Sequence, residues 1–349
     1  MGIGFTGTPN NFRQSGQKSS SILLPKAQGD TCMDRLDTAI VRELIMDPST
    51  LMFRQDIRRP YESIAKKLNV SEDTVRNRIK DLEEGGPIKG WRVGINPSLL
   101  GYKFYYVIFD VKPPAVKDKV YEQLRSTLPG LMWLADYFGD HAGIVVAYKD
   151  EESLKKICDH ISSITHSENV TWAYDPYPKC NLRFLENDWK IVAKMQRNPR
   201  RPYSEIASEL GISTRTVRRR LERMLEERAL FSFPDVDFRK LSGSIVIDLV
   251  VFYTSPDVKQ KVDNEVISKF HDNLIFGTLY DRNHAWYLLV LPNLTMVEEV
   301  RSETSKISGI GRLYVFPIVD FLNLVGEVFQ ADLRRIISSI EPIVEKSVK

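Results

Sequence analysis

The chain has 349 residues, 42% of them apolar and 27% charged, with a formal net charge of +3 at pH 7. That is long enough for several packed domains but too weakly charged overall to mark a nucleic-acid binder, so any basic surface has to be local. No apolar run approaches the thickness of a bilayer, and Cys32, Cys158 and Cys180 are too few and too widely spaced for a disulfide framework or a zinc site; the expectation is a cytoplasmic protein with no membrane partner, no metal and no cofactor.

Residues 1–31 are rich in Ser, Gly, Gln and Asn and read as a disordered N-terminal arm. A first winged helix-turn-helix unit is expected over 32–98. Leu36, Ile40, Leu44 and Ile45 recur at helical spacing behind Asp34 and Asp37, which predicts a first helix ending near Asp47-Pro48. The stretch 47–58 is longer than its counterpart around 197–199 and reads as an inserted loop. A second helix starts at Pro60 and buries Ile64, Ala65 and Leu68, after which Asn69 takes a turn that favours left-handed φ. Ser71 is placed to cap a third helix. On that helix Val75, Ile79 and Leu82 form the buried stripe, leaving Thr74, Arg76, Asn77 and Lys80 on the opposite side. Residues 85–102 then predict a turn, an apolar strand and a β-return, with Trp91 packed inside the wing.

A ferredoxin-like domain is expected over 99–180. Strands over 104–111, 131–137, 141–148 and 170–174 enclose helices over 116–127 and 152–165, giving the order βαββαβ.

The helix-turn-helix unit returns over 181–242. RPYESIAKKLNVSEDTVRNRIK at 59–80 and RPYSEIASELGISTRTVRRRLE at 201–222 are identical at eleven of 22 positions, and the identities fall where this motif needs particular residues. Gly211 takes the turn, Ser213 the cap, and Val217, Leu221 and Met224 the stripe; Phe233 replaces Trp91. The two third helices differ in charge. Residues 71–84 sum to −2 and residues 213–227 to +2. Phosphate neutralisation dominates affinity for DNA, so the second copy is expected to be the stronger reader.

A second βαββαβ domain follows over 243–318, with strands over 245–253, 274–280, 285–291 and 312–316 and helices over 258–271 and 294–307. Residues 319–349 predict a C-terminal amphipathic helix. Its stripe of Phe321, Leu324, Val328, Phe329, Leu333, Ile336, Ile337 and Ile340 is expected to bury against the second ferredoxin-like domain or against a partner chain in a homodimer. The fold class is therefore α+β: two winged helix-turn-helix domains alternating with two ferredoxin-like domains, plus a C-terminal helix.

A winged helix carrying IAKKLNVSEDTVRNRIKDLEEGGPIKGWRVGINPSLLGY and followed by a βαββαβ domain resembles the Lrp/AsnC transcriptional regulators, here in tandem form, and Gly139-Asp140-His141 is similar to that family's step into the third strand. The resemblance spans about residues 33–317. It implies binding of double-stranded DNA by the third helices in the major groove, at Ser71, Thr74, Arg76, Asn77, Arg78 and Lys80 in the first copy. In the second copy it implies Ser213, Thr214, Arg215, Thr216, Arg218, Arg219, Arg220 and Arg223. It also implies ferredoxin-like domains that assemble, here as an intrachain pseudo-dimer, and that sense a small-molecule effector. Asp281-Arg282-Asn283-His284 stands where Gly-Asp is expected in the second copy, and neither copy has a glycine-rich effector loop, so sensing lacks its usual signature.

Two other classes compete. Siroheme decarboxylases are similar in plan, and that resemblance would place His141 and His284 near a tetrapyrrole. The arginine cluster that a polycarboxylate substrate would want is missing around His141. A module whose winged helices contact protein suits the acidic first copy but not the five arginines of the second. With no glycine-rich phosphate loop, His-Glu-x-x-His or Cys-x-x-Cys, no catalytic residue is expected.

Overall fold

The computed structural model describes residues 33–46, 58–167, 170–174, 180–196, 198–241, 243–278, 281–324 and 328–340. The arm over 1–31 and the inserted loop, apart from Arg58, lie outside these residues.

The first unit has three helices, α1 (Arg35–Ile45), α2 (Tyr61–Leu68) and α3 (Glu72–Glu84), and one strand, β1 (Ile88–Ile95). Ile40, Leu44, Ile64, Val75 and Ile79 are at most 2% exposed, so the apolar stripes read from helical spacing are the core of the unit. The first ferredoxin-like domain follows as β2 (Lys103–Asp110), α4 (Lys117–Thr127), β3 (Leu131–Tyr137), β4 (His141–Tyr148), α5 (Glu151–Thr165) and β5 (Val170–Tyr174). The second unit repeats the helices as α6 (Glu186–Met195), α7 (Tyr203–Leu210) and α8 (Thr214–Glu226), with strand β6 (Leu230–Val236). The second ferredoxin-like domain is β7 (Ile245–Tyr253), α9 (Lys259–Lys269), β8 (Leu274–Thr278), β9 (His284–Leu291), α10 (Leu294–Ser305) and β10 (Ile310–Asn323). Helix α11 (Gln330–Ile340) is the last described element.

The wings differ from expectation. The β-return in each copy is instead a 3₁₀ turn, at Pro97–Leu100 and Phe238–Lys240. Each unit thus owns a single strand, and a lone strand must find partners for its N–H and C=O groups. It finds them in the other copy: β1 and β6 pair antiparallel in a two-stranded ribbon. Ile95 faces Leu230, the counterpart of Ile88, and Ile88 faces Val236, the counterpart of Gly94, so the ribbon has a local pseudo-two-fold axis near Trp91 and Arg92.

The remaining strands form one eight-stranded sheet in the order β5-β2-β4-β3-β10-β7-β9-β8, two ferredoxin-like sheets joined through β10. This strand is longer than the expected 312–316. Its first part, Ile310 to Pro317, pairs with β7 and its last part, Ile318 to Asn323, with β3. The helices of the first half cover one face, where Phe109, Leu124, Ile144 and Ile161 form a separate core. The helix-free faces of the two halves meet each other: Tyr106 stacks on Trp286 with ring centroids 6.1 Å apart, and Trp133 lies 5.8 Å from the same indole. There Tyr137, itself hydrogen-bonded to Tyr106 at 2.7 Å, donates to the carboxylate of Asp248. Burial pushes the Asp248 carboxyl up to about 7.

The C-terminal stripe also divides differently. Phe321 belongs to β10 and Leu324 directly follows it, while Phe329 and Leu333 are buried inside this chain. Phe329 meets Tyr102 edge-on at 5.3 Å and Phe104 at 6.4 Å, and Tyr102 donates to Asp332 at 2.8 Å. Phe329 therefore packs on the first half, and α11 contacts α6. The side chains of Ile337 and Ile340 lie outside the described set.

Candidate nucleic-acid interface

In both copies the turn before the third helix is made by a residue with left-handed φ, Asn69 at 55° and Gly211 at 63°. Ser71 and Ser213 then cap α3 and α8. Their hydroxyls accept from the N–H of Thr74 at 3.0 Å and of Thr216 at 3.1 Å, and each lies within 2.9 Å of the threonine hydroxyl. These four expected contact residues are thus engaged in building the helix starts.

The arginines separate into two groups. Arg78 reaches back to α1, pairing with Asp34 at 2.8 Å and Asp37 at 3.2 Å. Its counterpart Arg220 pairs with Asp188 of α6 at 3.0 Å, and Arg223 takes the other oxygen of the same carboxylate at 2.9 Å. Asp188 is fully buried and also accepts from the N–H of Leu185. Asp37 and Asp188 occupy the same place in the first turn of their helices. Arg78, Arg220 and Arg223 therefore clamp the third helix to the first through aspartates of this chain. The signal was in the spacing: Arg78 lies three residues after Val75 and four before Leu82, on the buried stripe.

The exposed cations differ between copies. On α3, Arg76 is paired with Glu72 at 2.5 Å and Lys80 with Glu84 at 3.6 Å. On α8, Arg215, Arg218 and Arg219 are exposed and have no acidic partner among the described residues; Arg218 lies 5.8 Å from the ring of Tyr203. Thr214 and Asn77 are exposed beside them.

Between the two helix-turn-helix units lies a reciprocal contact. Arg58 of the first sits 4.1 Å over the ring of Tyr203 in the second, and Arg200 of the second sits 5.3 Å over Tyr61 in the first. Arg58 also donates to the carbonyl of Pro199 at 2.8 Å. Like the β1–β6 ribbon, this contact is isologous, with the same patch used from both sides. The repeated Arg-Arg-Pro-Tyr at 58–61 and 200–203 is the sequence signal for it, one residue longer than the aligned repeat.

His141 and His284 are each held by a carboxylate. His141 bonds Asp110 at 2.6 Å and His284, buried, bonds Asp281 at 3.1 Å. A small apolar cavity of about 90 Å³ lies between α1, β6 and the helix-free sheet face, lined by Val41, Phe233, Trp133 and Trp286 among others. No His/Cys/Asp/Glu cluster suited to a metal ion occurs among the described residues, and no helix there is long and apolar enough to cross a membrane.

Two capped helix-turn-helix units, joined by a shared ribbon and a reciprocal arginine contact and mounted on paired ferredoxin-like sheets, define a duplicated winged-helix protein. The AsnC-type helix-turn-helix domain model matches residues 33–83 and 186–225, one segment in each copy. The chain is 32% identical over 139 residues to an uncharacterised HTH-type transcriptional regulator of Pyrococcus abyssi, covering 88% of that protein and 40% of this one. It is 38% identical over 110 residues to the HTH-type transcriptional regulator LrpA of Pyrococcus horikoshii, covering 73% of that protein and 30% of this one. The chain belongs to the Lrp/AsnC family. Among solved structures, the siroheme decarboxylase NirDL shares the fold across 88% of this chain and 99% of its own, with a TM-score of 0.50 at 14% identity.

Proposed function

We propose that this chain is a sequence-specific transcriptional regulator that binds double-stranded DNA with α3 and α8 in the major groove, α8 supplying most of the affinity. The observation that carries this reading is the set of three exposed arginines without acidic partners on α8, on a helix whose other two arginines are paired with Asp188. Such guanidiniums suit phosphate oxygens and guanine edges. The relatives' names as HTH-type transcriptional regulators support the same reading, and a protein that reads genomic DNA would work in the cytoplasm. The ferredoxin-like domains then serve assembly within the chain, and any effector acts on them by a route other than the family's glycine-rich loop.

A second reading, a tetrapyrrole-handling enzyme, has one observation in its favour, the fold shared with NirDL. A shared fold does not by itself carry chemistry. Against it, His141 and His284 each engage a carboxylate, and neither lines the cavity between the halves.

The test is duplex binding by fluorescence anisotropy at several salt concentrations, with genomic upstream fragments against a scrambled competitor, beside an absorbance scan of the purified protein. Salt-dependent binding with fragment preference supports the regulator. Absence of binding together with a tetrapyrrole band that His141→Ala or His284→Ala removes would overturn it.

A further inference from the structure

The two third helices occupy equivalent places in an isologous pair, and a duplex laid across such a pair would ordinarily be read as a palindrome. The chemistry they present is not equivalent. After the serine cap, the outward positions of α3 carry Glu72, Asp73, Arg76 and Asn77. The same positions of α8 carry Thr214, Arg215, Arg218 and Arg219. On α3 the one guanidinium is held by Glu72, and two carboxylates stand at the end of the helix that would meet base edges. On α8 three guanidiniums stand there with no acidic partner among the described residues.

Arginine recognises guanine through O6 and N7 with two hydrogen bonds, whereas Asp and Glu can accept only from base amino groups, cytosine N4 above all, find none on guanine's major-groove edge, and repel phosphate. The inward-facing Asp37–Arg78 and Asp188–Arg220 clamps tie both third helices to the same place in their first helices, so the readers differ chiefly in their outward side chains. Because both readers are on one chain, the pair formed within it always joins one α3 to one α8.

Resting on the regulator reading above, we propose that this chain recognises a non-palindromic duplex of two unlike half-sites in one fixed orientation, with a guanine-bearing half under α8 and a half under α3 that adds little affinity and no guanine readout.

The test is selection of binding sites from a random duplex pool by the full chain, followed by anisotropy on the selected duplex with one half or the other scrambled. The expected consensus has guanines confined to one half. Scrambling that half costs about a hundredfold or more in affinity and scrambling the other less than about tenfold, at about 1–3 kcal/mol per mismatched pair. The double variant Asp73→Arg/Asn77→Arg, on an exposed face, gives the first helix the arginines of the second. Selection with it is expected to bring guanines into both halves. A palindromic consensus with halves of equal weight from the unaltered chain overturns the proposal and leaves the regulator reading standing. No enrichment of any duplex overturns the regulator reading itself.

Discussion

The two helix-turn-helix copies agree inside and disagree outside. Both turn on a left-handed residue, both cap the third helix with a serine and threonine, and both tie that helix to the first with an aspartate and an arginine. Each of these devices satisfies a buried or terminal group that would otherwise be costly to leave bare. The outward faces have no such constraint, and there the charges have diverged from paired and acidic to unpaired and basic. Duplication kept what holds the helix and released what the helix can touch.

The clamps give the largest expected difference. Asp188→Ala leaves the guanidiniums of Arg220 and Arg223 without their shared carboxylate, at a cost of about 3–5 kcal/mol, read by chemical denaturation. Asp37→Ala should cost less, about 1–2 kcal/mol, because Arg78 is more exposed than Arg220 and keeps Asp34. Equal losses would break the comparison.

Arg218→Ala/Arg219→Ala should weaken DNA binding by about one to two orders of magnitude and lower the salt slope by about 2, one for each phosphate that is no longer neutralised. Arg76→Ala/Lys80→Ala, which removes cations already paired on their own helix, should change either quantity little. Unchanged affinity and slope in the first double variant would remove α8 from the interface, and lost affinity at an unchanged slope would place these arginines on base edges rather than on phosphates.

The two halves of the sheet differ at matched positions, Tyr106 in one and Asp248 in the other. Burial raises the Asp248 carboxyl to about 7, from about 4 in an unfolded chain, so the folded state prefers its protonated form. The stability this group contributes is complete below about pH 4 and is lost as pH rises through about 7. Asp248→Asn should abolish that dependence, seen as thermal melts that differ less between pH 5 and pH 8 than those of the unaltered chain. A larger difference in the variant would contradict the assignment.

The smallest effects belong to the reciprocal arginines. Arg58→Ala and Arg200→Ala should each cost about 0.5–2 kcal/mol, and because Arg58 also bonds the carbonyl of Pro199, next to Arg200, the double variant should depart from the sum. A strictly additive double variant would mean the two contacts are independent.

Much of this was legible in the sequence because it is periodic and local. Leu131–Tyr137, His141–Tyr148 and Ile245–Tyr253 form strands where alternation places them, and the serine caps sit where the repeat puts them. What escaped was decided by partners far along the chain. Residues 317–324, Pro-Ile-Val-Asp-Phe-Leu-Asn-Leu, have apolar spacing that fits a helix as well as a strand; the free edge of β3, nearly two hundred residues earlier in the sequence, makes most of them a strand. Likewise nothing within 85–102 says that β1 will pair with β6 rather than fold back on itself. At the candidate interface the residue types were legible but not the direction of each arginine, because Arg78 and Arg220 look outward by composition and face inward by their spacing and their distant aspartates.

The fourteen-residue strand β10 belongs to both sheets at once. A regulator assembled from separate subunits loses its paired form when it is diluted, so its occupancy of DNA falls faster than its concentration. In this chain covalent linkage fixes the partner at an effective concentration that dilution does not change. On the reading proposed above, one molecule carries both readers, and its response to gene dosage should be proportional, with no threshold at low copy number; a threshold would mean that chains must pair before they bind.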